Sequence, residues 1–259
     1  MPISQAQIRA RPGAEVAAAT DVGCQRENNE DSYLYWEPAQ AREFSRKGRL
    51  AVVADGMGGH EGGQEASRIA IEAIQEAYAA DSGDDPQAAL VAGFRRAHEK
   101  VFQHAAQHLQ LRGMGTTATA IALIGNDLYF AHIGDSRLYR VHGHKIFRLT
   151  RDHSYVGRLF ENGVISAEEA EVHPQRHILT AALGTGPEIP ADTPEQPIQL
   201  EAGDSLVLCT DGLWGLVGDD DIRQTVAGNS VGDACQRLIE RAKQRGGPDN
   251  ITVIVLRLT

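Results

Sequence analysis

Short apolar runs and helical stripes follow one another along the chain in a fixed order. Runs that are continuously apolar, or that alternate with polar residues, are typical of strands. They lie at 16–20, 32–36, 50–54, 116–124, 128–133, 137–141, 145–149, 205–209 and 251–258. After the run at 50–54, apolar residues recur at helical spacing and predict helices over 66–77 and 90–109. Shorter helices are predicted around 155–161, 219–226 and 231–242.

The links between these elements indicate how the sheets are built. The strands between 116 and 149 are joined by turns too short for a crossover helix, which predicts an antiparallel meander. The whole order favours antiparallel sheet covered by helices over a doubly wound parallel sheet. We therefore expect an α+β fold in a single domain over 1–259, with 1–14 as a loose lead-in. The polar, proline-containing stretch from 150 to 197 predicts a long insertion.

The composition and net charge restrict the classes of partner that are expected for this protein. The chain has 259 residues, a formal net charge of −10 and no basic run, which argues against nucleic acid and anionic membrane as main partners. Its 3 cysteines form no CxxC pair, so neither zinc nor a disulfide framework is expected. The N-terminus lacks the apolar core of a secretory signal, and no run approaches the ~18 apolar residues that a membrane span needs. These observations predict a cytoplasmic protein, and we expect a monomer.

Aspartates stand where apolar, strand-like runs meet tight turns. Asp55, Asp135 and Asp211 each follow such a run, and Asp249 precedes the last one. A carboxylate at the end of a buried strand is costly unless a positive charge neutralises it. No Lys or Arg stands beside Asp55, Asp211 or Asp249 in the sequence, so a bound hard cation is the expected counter-charge. Oxygen ligands suit Mg²⁺ or Mn²⁺ better than Zn²⁺, and such multi-metal sites serve phosphate-ester chemistry.

Short acidic and glycine-rich motifs occur in one order along nearly the whole chain. Each is weak alone, because Asp-Gly is above all a turn dipeptide. They are Arg26 with Glu30-Asp31, Val53-Ala54-Asp55-Gly56-Met57-Gly58-Gly59-His60, Gly115-Thr116-Thr117-Ala118, Gly134-Asp135-Ser136-Arg137, Thr210-Asp211-Gly212-Leu213-Trp214 and Asp249-Asn250-Ile251-Thr252. In this order the sequence closely resembles the bacterial form of the metal-dependent serine/threonine protein phosphatases, the type 2C or PPM family.

The resemblance implies a fold and a metal site. The fold would be a four-layer αββα sandwich, with two antiparallel sheets packed face to face and helices on both outer faces. Two ions, Mg²⁺ or Mn²⁺, would be bridged by Asp55 and a water. Asp211 and Asp249 would hold one ion and the Gly56 carbonyl the other. Asp135 matches the position that, with Asp211, holds a third ion in bacterial members.

The resemblance also assigns residues around the ions. Glu30 would act largely through waters on the ions, and Arg26 would clamp the substrate phosphate with a bidentate fork that Lys could not supply equally. Asp31 would buttress Arg26 or such a water, and Asn250 would lie just behind the ligands. Trp214 is expected to be a packing residue under the site.

The implied reaction is hydrolysis of phosphoserine and phosphothreonine in proteins, without a covalent phosphoenzyme. The partners would be phosphorylated proteins and a cognate Ser/Thr kinase system. Segment 150–191 matches the flap of bacterial members, which lies beside the site and affects substrate choice. Met57 stands where eukaryotic members carry a histidine thought to protonate the leaving alcohol, so this acid is unassigned, and water on the third ion is our hypothesis. A non-catalytic metal- or phosphoprotein-binding sensor and a small-metabolite phosphatase are the alternatives.

Overall fold

Strands and helices occupy nearly the positions that the apolar pattern predicts. The computed structural model describes residues 4–59, 61–166, 169–170, 172–187 and 191–259. The strands there are β1 Ser4–Ile8, β2 Ala14–Asp21, β3 Asp31–Trp36, β4 Arg49–Met57, β5 Gly115–Thr116, β6 Ala118–Ile124, β7 Asp127–Ile133, β8 Arg137–His142, β9 Lys145–Arg148, β10 Ile198–Gln199, β11 Ser205–Cys209 and β12 Ile251–Leu258. The helices there are α1 Ala41–Lys47, α2 Glu61–Ala80, α3 Pro86–Gln107, α4 Tyr155–Glu161, α5 Asp211–Trp214, α6 Asp219–Ala227 and α7 Val231–Gln244.

The described strands form two antiparallel sheets. The first has the order β1-β2-β12-β11-β8-β9, and the second has the order β10-β7-β6-β4-β3, with β5 paired to β4. Strand β12 is central in the first sheet because β2 pairs with it on one side and β11 on the other. This position explains why its sequence is apolar on both faces, as the near-continuous pattern predicts.

Three apolar clusters define four layers. One lies between the sheets and takes residues from both, such as Val53, Ile121, Leu208 and Ile254. The second packs α2 and α3 against the outer face of the second sheet, with Phe94 in it. The third packs α5, α6 and α7 against the outer face of the first sheet. The predicted αββα sandwich is therefore confirmed.

The predicted meander is wrong in one respect. Strands β6 and β7 pair in the second sheet, whereas β8 and β9 pair in the first, so the chain changes sheet between β7 and β8. The crossing is made by residues 134–136, where Gly134 has a φ of +103° and a Cβ would overlap Thr117. A short turn in the sequence does not show whether the next strand pairs within the same sheet or crosses to the other sheet. Both sheets are buried on both faces, so strands of either sheet have the same apolar pattern. The crossing places Asp135 between the sheets.

The N-terminal lead-in and one helix also differ from expectation. Residues Ser4–Ile8 lie in the predicted loose lead-in but form edge strand β1, paired in register with β2 from Ser4↔Thr20 to Ile8↔Val16. Backbone hydrogen bonds hold an edge strand, so a strong apolar pattern is not required. Helix α1 was not predicted, since two turns are too short for a visible helical period. The predicted strand 116–124 breaks at Thr117 into β5 and β6.

Side-chain contacts join the two ends of the insertion. Arg151 Nη2 and His153 Nε2, near its start, lie 2.9 and 3.3 Å from Asp192 Oδ2, near its end. Its predicted helix is present as α4, and the Ser154 hydroxyl caps it by accepting from the Gly157 N–H. Among the described helices, none combines the length and the apolar composition that a bilayer crossing requires.

Candidate active site

The sequence-predicted acidic residues face one cavity of about 650 Å³. It opens where β4, β7 and β11 end and where β3 and β12 begin. Residues that line it and that the sequence had singled out are Arg26, Glu30, Asp55, Gly56, Asp135, Asp211, Asp249 and Asn250. Asp31 lies directly behind, because it is the register partner of Asp55 in the β3–β4 pair. The tertiary structure thus brings together residues that are far apart in the chain.

Asp55 is held by its main chain. Its N–H donates to the Thr117 hydroxyl at 2.9 Å, and its carbonyl accepts from the Thr117 N–H at 2.9 Å and from the Thr116 hydroxyl at 2.8 Å. Burial raises the pKa of its carboxyl well above the usual value, and the charges of Asp31 and Asp211 raise it further. The Gly-Thr-Thr motif therefore fixes the backbone of Asp55, and the negative charges concentrate around it.

Asp31 is almost fully buried and carries an unusual pKa. Its Oδ2 accepts from the Thr210 hydroxyl at 2.8 Å, whereas its Oδ1 has no hydrogen-bond partner. Burial raises the pKa of Asp31 to about 7, against hydrogen bonds from Thr252 and Thr210 that lower it. Asp31 therefore lies beside Asp55 and Thr210, and no contact with Arg26 is present.

Glycines make room for Glu30. The Gly56 N–H donates to the Glu30 carbonyl at 3.2 Å, and a Cβ on Gly56 would overlap the carbonyl of Gly63 at the start of α2. A Cβ on Gly63 would overlap the Glu30 carboxylate itself. Only glycine fits at both positions, and the Glu30 carboxylate lies directly against Gly63. Gly63 was not singled out from the sequence, although the glycine pair at the start of a helix is unusual.

Asn250 joins the segments that carry Glu30 and Asp249. Its Oδ1 accepts from the Glu30 N–H at 2.8 Å, and its Nδ2 donates to the carbonyls of Val22 and Asn28 at 3.0 and 2.9 Å. Its own N–H donates to Asp249 Oδ1 at 2.8 Å. Its side chain is thus committed to main-chain groups, which is the supporting position that the sequence predicts.

Basic side chains contact two of the carboxylates in the acidic cavity. Arg26 Nη2 contacts Asp249 Oδ2 at 2.8 Å, and both side chains are partly exposed. His177 Nδ1 lies 3.5 Å from Asp211 Oδ2. Arg176 and His177 reach the cavity from the insertion. No motif in the sequence marks Arg176 or His177. His60 lies outside the described residues.

Asp135 is buried at the sheet crossing. Its pKa is raised by burial first, then by the charges of Asp211 and Asp152, while Arg137 opposes the shift. The main-chain carbonyl of Asp135 accepts a hydrogen bond from the Trp214 indole N–H at 2.9 Å. Trp214 is therefore a hydrogen-bond donor as well as the packing residue that the sequence predicts.

The donor set fits a hard cation. Within the described part of the chain, no three His, Cys, Asp or Glu side chains are drawn together as a closed metal-ligand cluster. Like charges repel, and here Arg26 and His177 take up carboxylate oxygens. Two buried oxygens, Asp31 Oδ1 and Asp211 Oδ1, nevertheless have no partner, which is costly unless a cation is bound. Oxygen-only donors of this kind are those that Mg²⁺ and Mn²⁺ prefer.

Known proteins share this sequence and fold. The family described as "Protein phosphatase 2C" matches residues 8–246. "Serine/threonine protein phosphatase PstP" of Mycobacterium tuberculosis is 38% identical over 239 residues, which are 92% of this chain but 44% of PstP. "Protein phosphatase PhpP" of Streptococcus pneumoniae is 35% identical over 249 residues, which are 94% of this chain and 97% of PhpP.

One solved structure is similar to this chain in fold as well as in sequence. It is the catalytic domain of PstP "in complex with 2 Manganese ions", with a TM-score of 0.82, 35% identity and coverage of 95% of this chain and 99% of that chain. The resemblance seen in the motifs is confirmed by a family match over nearly the full sequence and by this superposition. The chain belongs to the protein phosphatase 2C family.

Proposed function

We propose that this protein hydrolyses phosphoserine and phosphothreonine in proteins, with Mg²⁺ or Mn²⁺ as cofactor. The observation that carries the proposal is the convergence of Glu30, Asp55, Asp135, Asp211 and Asp249, with Arg26, on one cavity. The names of PstP and PhpP and the two manganese ions in the PstP structure support it. Sequence separation of these residues makes a chance convergence implausible.

The residues divide into ligands and supports. Asp55 would bridge two cations, Asp211 and Asp249 would hold one of them, and the Gly56 carbonyl would face the other. Two cations held there would lower the pKa of water for attack on phosphorus and would neutralise the charge that develops on the phosphoryl oxygens. Asn250 and Thr117 would keep the ligands in place through the main-chain hydrogen bonds described above. Asp135 with Asp211 would hold a third cation.

Arg26 is suited to bind the phosphate. Its guanidinium lies at the cavity and pairs with Asp249, but about half of its side chain is exposed. An exposed ion pair contributes little stability, so exchange of the carboxylate for a phosphate is cheap. A guanidinium binds phosphate through two parallel hydrogen bonds, and an ammonium cannot.

Arg26→Lys is therefore expected to raise the KM for a phosphopeptide by roughly tenfold, since one charge-assisted hydrogen bond is lost. Steady-state kinetics on a phosphothreonine peptide at saturating Mn²⁺ measures this. Arg68→Lys is the matched control, because Arg68 is exposed to a similar extent but contacts Glu65 and Glu72 on α2 instead of the cavity. An unchanged KM in Arg26→Lys would remove Arg26 from phosphate binding.

The insertion contributes two basic residues to the wall of the cavity. Arg176 and His177 line it, although they belong to a segment outside the sandwich. A cavity wall that takes side chains from this second segment suits a substrate larger than a metabolite, which supports a phosphoprotein. A cognate Ser/Thr kinase, a cytoplasmic location and a monomeric state stay predictions from the sequence.

The hypothesis that water on a third cation protonates the leaving alcohol is tested by substituting Asp135. Met57 lines the cavity, and its thioether cannot donate a proton. We expect Asp135→Asn to lower kcat roughly a hundredfold on a phosphoserine peptide, whose alkoxide needs a proton, and only a few-fold on p-nitrophenyl phosphate. Asp127→Asn, at the opposite end of β7, is the control. An unchanged kcat on both substrates would remove Asp135, and a third cation with it, from the chemical step.

The proposal as a whole is tested with two substrates. The protein should hydrolyse p-nitrophenyl phosphate and a phosphothreonine peptide with Mn²⁺, and EDTA should abolish both activities. Metal-dependent activity on the small ester alone would favour a small-metabolite phosphatase. A protein that binds Mn²⁺ but hydrolyses neither substrate would be a sensor on the same fold.

A further inference from the structure

Trp214 contacts the segment that carries Asp135. It lies one helical turn after Asp211, at the other end of the short helix α5. Its indole N–H donates to the main-chain carbonyl of Asp135 at 2.9 Å. A packing role alone would not require this bond, since the ring already packs against the apolar cluster under the first sheet. The bond joins the two segments from which Asp135 and Asp211 project.

A second contact joins the same two segments. The Arg137 guanidinium lies 3.4 Å from the centre of the Trp214 ring, which is a close cation–π stack. Arg137 is held in this position by Asp152, through Nε–Oδ1 and Nη2–Oδ2 distances of 3.0 and 2.6 Å, and by the Tyr139 hydroxyl. Arg137 follows Asp135 by two residues, so Trp214 is fixed to the Asp135 segment at two points.

The Asp135 segment is also tied towards Asp55. The Ser136 and Thr117 hydroxyls lie 2.8 Å apart, and Thr117 accepts the N–H of Asp55. The β8–β11 ladder already pairs Arg137 with Cys209, so the Trp214 contacts extend this connection past the strand ends to the residues that carry Asp135 and Asp211. Two carboxylates of like charge repel, so their separation needs a rigid link if both are to contact one cation.

We propose that Trp214 is a positioning residue that sets the separation of the Asp135 and Asp211 carboxylates, and through it the affinity for the cation that these two would share. The inference rests on the proposed function, because it takes the two residues as ligands. In the proposed ligand set Asp135 belongs to the shared cation alone, whereas Asp211 would also hold one of the two ions at Asp55. Loss of the Trp214 link then affects this cation selectively.

The test is Mn²⁺ binding to the substrate-free protein, measured by isothermal titration calorimetry on wild type and Trp214→Phe. Phenylalanine keeps a ring beside Arg137 but loses the N–H donor. We expect one Mn²⁺-binding step to weaken roughly tenfold, the other steps to stay unchanged, and the melting temperature in EDTA to stay near wild type. Trp36→Phe is the matched control, because Trp36 contacts Tyr78 away from the cavity and should leave every step unchanged.

Asp152→Asn is the second variant, and it covers the case in which Trp214→Phe does not fold. It removes the charge that anchors Arg137 and leaves Trp214 in place, so a smaller but equally selective weakening is expected. Wild-type steps in both variants, or an equal loss in every step together with a lower melting temperature, would overturn the positioning role. A wild type that binds only two ions would overturn it and leave the proposed function standing. A wild type that binds none would contradict the proposed function itself.

Discussion

Asp55→Asn is expected to lower kcat by at least roughly a thousandfold and at the same time to stabilise the metal-free protein. The activity falls because the residue that would bridge two cations loses its charge, and electrostatic stabilisation of a transition state is usually the largest contribution to catalysis. The stability rises because Asp55 is a partly buried carboxylate among the charges of Asp31, Asp211 and Asp135. Asparagine has the same shape but carries no charge.

Kinetics on a phosphothreonine peptide and thermal unfolding in EDTA measure the two effects of Asp55→Asn. Asp220→Asn is the control, because Asp220 is 80% exposed on α6, where it pairs with Arg223 away from the cavity. Activity is expected to fall while the stability of the metal-free protein rises, and this combination distinguishes a metal ligand from a structural residue. A variant that loses activity and stability together would indicate that Asp55 is a structural residue, and a variant with wild-type turnover would refute its role as a bridging ligand.

Acid is expected to destabilise the protein through His132. This residue is fully buried on β7, where its Nδ1 lies 2.8 Å from the Thr119 hydroxyl and its Nε2 lies 2.8 Å from the Arg151 carbonyl. Its pKa is lowered from 6.5 to about 4, by burial first and by the neighbouring His153 second, while the Arg151 carbonyl and the charges of Asp152 and Asp192 act in the opposite direction.

The direction in which stability changes with pH follows from proton linkage. Between pH 6.5 and about 4 the unfolded chain binds a proton at residue 132 that the folded protein does not, so the free energy of unfolding decreases as the pH falls. The stability is fully present above pH 6.5, and the loss across the window is about 3 kcal/mol at most.

Urea unfolding at several pH values between 7.5 and 4.5 checks this expectation. His132→Gln should be less stable at neutral pH, because the ring's packing is lost, but its stability should depend less on pH within the window. His144→Gln is the matched control, because His144 is an exposed turn residue. If His132→Gln and wild type give parallel curves of stability against pH, the acid sensitivity comes from groups other than His132.

The spacing of apolar residues was sufficient to locate most strands and helices, because the spacing within one element depends only on residues that are close together in the sequence. Helices α2 and α3 bury a stripe repeated over several turns, and β12 is buried on both faces, so their burial is visible in the sequence. The sheet crossing at residues 134–136 was not visible, because it depends on which distant strands β7 and β8 pair with. Helix α1 has no such stripe, since it spans only two turns.

The sequence by itself determined which residues are candidates for the site: aspartates at the ends of buried strands, in the order typical of one family. Tertiary structure alone decided what these residues contact. It paired Arg26 with Asp249, left Asp211 Oδ1 without a partner and linked Trp214 to Asp135. The physical reason is distance along the chain. Strand ends are specified by local polarity, whereas a hydrogen bond between residues 79 positions apart exists only after both sheets have packed.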